Sequence, residues 1–174
     1  MKEKKCGTGK TVSFLLAALL LLSLVGNLVL FLQYQQKSDQ LAGAQERAGD
    51  HVRQAVLTVG SCQLTEESDR QKVKDSLFSV YLYMSDWREM GGTTPEDVNG
   101  YYGLCMVYRT AIAEYGEGQV PFDALQHDLA LFSQLVRDEE LIPFEEAARL
   151  FRENHRVDYT AEWTTPYLPS ELKS

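Results

Sequence analysis

Cysteine, histidine and proline are all scarce in this chain of 174 residues, at three, three and five respectively. The histidines, His51, His127 and His155, lie far from one another and from any cysteine. A zinc site wants three or four converging ligands, and His127-Asp128 or His155 with Asp158 offers only two. No metal and no cofactor is therefore expected, and the three read as ordinary surface or edge histidines. Catalytic signatures are missing as well: there is no Gly-x-Ser-x-Gly and no His-Glu-x-x-His. The pairs Glu66-Glu67, Glu139-Glu140 and Glu145-Glu146 are neighbours in sequence. Adjacent helical residues point about 100° apart, so none of these pairs is an acid/base dyad by itself. Gly7-Thr8-Gly9-Lys10-Thr11 imitates the end of a phosphate-binding loop, but the required earlier glycine is replaced by Lys4. A basic flank to a membrane segment accounts for it better.

Charge is the next absence. Nothing charged stands between Lys10 and Lys37, and Val12 to Leu32 is a 21-residue run dominated by leucine, valine and alanine. At about 1.5 Å per residue such a helix crosses a hydrocarbon core of about 30 Å. A cleaved signal peptide would have a shorter apolar run, and the small-residue site Ala42-Gly43-Ala44 lies well past this one. The sequence thus predicts an uncleaved anchor meeting the bilayer through residues 12–32. Lys2, Lys4, Lys5 and Lys10 precede the span, while only Lys37 and Arg47 follow closely. By the positive-inside rule the N-terminus is cytoplasmic and the remainder extracytoplasmic. The whole chain totals −8 and residues 1–10 carry an excess of three positive charges, so residues 11–174 carry −11. An acidic domain of this kind repels phosphate, so no nucleic-acid partner is expected.

Strand-like alternation is the third absence, and helical spacing fills its place. Residues 1–11 read as the basic flank, 12–32 as the transmembrane helix and 33–59 as a juxtamembrane stalk helix. Residues 60–155 follow as an acidic helical bundle and 156–174 as an extended tail. Thr65 followed by Glu66, Glu67 and Asp69 suits a helix start. Val73, Leu77, Val80, Tyr81 and Met84, widened by Phe78, Leu82, Tyr83 and Trp87, suggest a central, well-covered helix. Thr94-Pro95-Glu96-Asp97 opens the next, in which Gly100 and Gly103 admit a close neighbour or mark a fray. Phe122, Leu125, Leu129, Phe132 and Val136 form one further stripe, and Phe144, Ala147, Ala148 and Phe151 another. The openings Val120-Pro121-Phe122-Asp123 and Ile142-Pro143-Phe144-Glu145 match each other, either as a short repeat of helical hairpins or as two good helix starts. The fold class is all-α: an N-terminal transmembrane helix and stalk, then a bundle of about four to five helices.

The candidate binding residues are aromatic: Tyr83, Trp87, Tyr101, Tyr102 and Trp163. Part of this set belongs to the core, and any remainder beside Asp86, Glu89 and Glu96 would suit a cationic or sugar-like ligand or a protein partner. Cys62 and Cys105 would both be outside, where a disulfide can persist, or else stay as two free thiols. Ser23 and Asn27 are polar groups inside the span and candidates for pairing two copies. The expected function is a membrane-anchored extracytoplasmic interaction or scaffold domain, more readily non-enzymatic than catalytic. The rival is an anchored ligand-binding sensor or envelope enzyme whose site is not visible in sequence.

Overall fold

A computed structural model describes residues 8–173, with side chains described from Leu15 onward, Ala17 excepted. Lys2, Lys4, Lys5 and Cys6 lie outside the described residues, as does the Ser13 side chain. The chain forms two units, residues 1–43 and residues 44–174. Helix α1 runs Thr8–Ser61 and contributes to both. In the first unit every leucine from Leu15 to Leu32 is more than half exposed. This helix is long and apolar enough to cross a membrane.

In the second unit the last turns of α1 are buried instead. Ala48, Val52, Ala55, Val56 and Val59 recur at three- and four-residue steps and enter the core. The bundle therefore begins near residue 44, before the expected boundary at residue 60, because this stripe finds partners to pack against.

Helix α2 spans Glu67–Glu89. Its N-cap is Glu66, one residue beyond the expected Thr65: the Glu66 N–H donates to the Asp69 carboxylate at 3.2 Å, and the Thr65 hydroxyl to the same group at 3.0 Å. A turn through Gly91, at φ 80°, leads into α3, Pro95–Gly116. Here Thr94 caps as expected, accepting the Asp97 N–H at 3.1 Å. Helix α3 is the central one, with ten buried residues from Val98 to Ile112, whereas α2 buries only Val73, Leu77, Val80 and Met84. The expectation that α2 is the well-covered helix is thus corrected: Phe78 and Leu82 point to solvent.

Gly100 and Gly103 serve close approach. A Cβ on Gly100 would lie 2.0 Å from the Phe144 ring, and one on Gly103 would lie 2.6 Å from the Tyr167 carbonyl oxygen. Helix α4, Phe122–Leu131, ends before the expected Val136. A turn of 3₁₀ helix follows, Phe132–Leu135, and then a two-stranded hairpin, β1 Val136–Arg137 with β2 Glu140–Leu141. Asp138 and Glu139 turn this hairpin at φ 51° and 64°. Helix α5 spans Phe144–Asn154. The matched openings share a geometry, Pro121 and Pro143 both preceding a helix in extended backbone, but neither starts a helical hairpin. The tail packs back on the bundle through Val157, Tyr159, Thr164 and Leu172, all buried.

Candidate functional site

The α2–α3 turn and the hairpin leading into α5 leave a cleft of about 350 Å³ between them. The bundle part of α1 lends it Arg53, α2 lends Met84 and Trp87, and the turn lends Gly92, Thr93 and Thr94. Asp97 and Tyr101 come from α3, and Glu140 to Pro143 from β2 and the start of α5. Two contacts fix this shape. The Tyr101 hydroxyl donates to the Ile142 carbonyl at 2.7 Å, tying α3 to the segment before α5. Asp97 takes the Phe144 N–H on Oδ1 at 2.6 Å and the Thr94 hydroxyl on Oδ2 at 2.7 Å. One carboxylate thus holds the starts of two helices, where the positive ends of their dipoles favour it. Gly92 is required beneath Trp87, since a Cβ there would fall 1.8 Å from the indole nitrogen.

The structure divides the expected aromatic set. Trp87 and Tyr101 come together in the cleft, with Tyr101 as its buried floor. Burial, then the nearby Asp97 charge, pushes the Tyr101 hydroxyl well above its ordinary range, so it stays a neutral donor. Tyr83 stacks on His51 at 4.8 Å. Tyr102 packs against Tyr81 with ring centroids 4.6 Å apart and planes tilted by 50°, on the outer face of α2 and α3. Trp163 packs half-buried against the core from the tail. Around Tyr102, a strip of Phe78, Tyr81 and Leu82 also reaches solvent, with the Arg109 guanidinium 5.2 Å above the Phe78 ring.

Of the two alternatives for Cys62 and Cys105, the structure has the free thiols and not the bridge. Cys105 is a small core residue, and burial pushes its thiol far up, which keeps it unreactive. Ser23 and Asn27 are exposed along α1. The histidines serve local geometry: His127 Nε2 donates to the Asn154 carbonyl at 3.1 Å and His155 Nδ1 to that of Val157 at 2.9 Å. Among the described residues no group of three potential metal ligands converges.

Besides the cleft, sequence reasoning missed a constellation centred on Asp128. This aspartate is fully buried and accepts the Tyr108 hydroxyl at 2.9 Å, the Arg156 N–H at 2.8 Å and the Val157 N–H at 3.0 Å. Tyr159 completes it, its hydroxyl 2.7 Å from that of Tyr108 and its ring stacked on His155 at 4.0 Å. Burial raises the hydroxyls of both tyrosines above their ordinary range. The network ties α3, α4 and the tail together, and its carboxylate is fully engaged, which marks it as a lock of the fold. Comparison of the chain with protein-family models, with curated proteins and with solved structures finds no match to any of them.

Proposed function

We propose that the chain is a membrane-anchored interaction protein. Residues 12–32 hold it in the bilayer, with the N-terminus cytoplasmic and the acidic bundle on the extracytoplasmic side. The exposed leucine face of α1 and the lysine-rich flank support the anchor and its orientation. The observation that carries the interaction reading is the strip on α2 and α3. Phe78, Leu82 and Tyr102 stay exposed on helices whose other large apolar residues are mostly buried. With −11 charges beyond residue 10, the bundle attracts a partner with basic groups around an apolar centre.

The test is site-specific photo-crosslinking of the full chain in its native membrane, with the probe at Leu82 and, for comparison, at Glu145. A discrete adduct from Leu82, weakened by Tyr102→Asp and absent from Glu145, supports the proposal. Equal adducts from both positions, or none from Leu82, overturns it. An adduct of twice the chain mass would identify the partner as a second copy.

A further inference from the structure

The cleft beside Trp87 carries charges of both signs, each with bonding capacity that the bundle's own contacts do not fill. Arg53 reaches Asp50 through one terminal nitrogen, and the rest of its fork has no partner among the described residues. The Trp87 indole N–H and the Glu140 carboxylate are likewise unpaired among the described residues, although both line the cleft. Asp97 adds a second, fixed negative charge, held by the Thr94 hydroxyl and the Phe144 N–H. The apolar surface beside these groups comes from Trp87, Leu141, Ile142 and Pro143, seated on the fully buried Met84 and Tyr101, and it can receive a hydrocarbon or ring.

This combination selects among ligands. A bare anion would meet Arg53 but also two carboxylates. A bare cation would meet the carboxylates but also the guanidinium of Arg53. A compact zwitterion answers both signs, and the apolar floor asks for a side chain attached to it. A cleft of about 350 Å³ stands at the small end of ligand sites. We propose that it binds a free α-amino acid with an aliphatic or aromatic side chain. Arg53 takes the carboxylate, Glu140 and Asp97 take the ammonium, and the side chain lies between Trp87 and the floor. The proposal does not rest on the partner strip, which lies on residues outside this cleft.

The test is calorimetric titration of the full chain in detergent micelles. L-Leucine and L-phenylalanine are compared with leucinamide, N-acetylleucine and glycerophosphoethanolamine, the last standing for a lipid headgroup. Saturable binding of an amino acid, at least about tenfold tighter than leucinamide and N-acetylleucine, is expected. Arg53→Gln should weaken the amino acid about tenfold or more while leaving leucinamide unchanged. Glu140→Gln should do the same while leaving N-acetylleucine unchanged. Glu140 is exposed and Arg53 half-buried, so an unchanged helical signal and melting point of each variant exclude unfolding as the cause, and Phe78→Asp on the strip should leave binding as it was. Three outcomes overturn the proposal: no saturable heat for either amino acid up to about 10 mM, equal binding of all the compounds, or a preference for glycerophosphoethanolamine.

Discussion

The Asp128 carboxylate receives three hydrogen bonds inside the bundle, two of them from backbone of the tail. Asp128→Ala would take the acceptor from two N–H groups of the tail, that of Val157 buried, and leave the Tyr108 hydroxyl only its contact with Tyr159. We expect it to lower the unfolding free energy by about 3 kcal/mol, read as a shifted denaturant midpoint. Tyr108→Phe removes a hydroxyl bonded to both Asp128 and Tyr159 but leaves the tail N–H groups paired, and should cost about 2 kcal/mol. The tyrosines give a pH dependence of known sign. Tyr101, Tyr108 and Tyr159 have hydroxyls raised by burial, so the folded chain holds these protons more tightly than the unfolded chain. Their contribution is intact below about pH 10, the value of a free tyrosine, and falls as the pH rises past it. Tyrosinate absorbance should therefore show exposed tyrosines ionising first and a late group ionising only with loss of helical signal. Smooth titration of all nine tyrosines without unfolding would contradict this.

Helix α1 meets two environments. Its first part presents leucines to surroundings that the protein does not supply, and its last turns feed the core. In lipid, apolar surface gives little drive for helix pairing, so the polar groups Ser23 and Asn27 would select it. We expect a membrane dimerisation assay to report pairing of the full chain that Asn27→Leu weakens about threefold or more. The other helices were legible from spacing and caps. Thr94-Pro95 marked the start of α3 because a hydroxyl cap and a proline at the first position are local signals. The hairpin at residues 136–141 was not legible. Asp138 and Glu139 adopt positive φ without the glycine that usually announces such a turn, and Phe132 and Val136 kept helical spacing after the helix had ended. The cleft and the Asp128 network were hidden for another reason. Their residues are separated by tens of positions, and only packing brings Arg53 beside Trp87 or Asp128 beside Val157.

At the scale of the whole molecule, the account depends on which side of a membrane the acidic bundle occupies. Partner charge and access of an amino acid to the cleft both follow from that side. The two cysteines that report it differ in setting: Cys6 belongs to the lysine-rich flank, and Cys62 lies half-buried where α1 ends. Labelling with a membrane-impermeant maleimide, before and after permeabilisation and in a Cys105→Ala background, reads their sides directly. A brief denaturing step under reducing conditions after the cells are sealed and quenched separates a shielded thiol from an enclosed one. The account predicts that Cys62 reacts in intact cells and Cys6 only after permeabilisation. Labelling of Cys6 in intact cells, with Cys62 reacting only after permeabilisation, would contradict it.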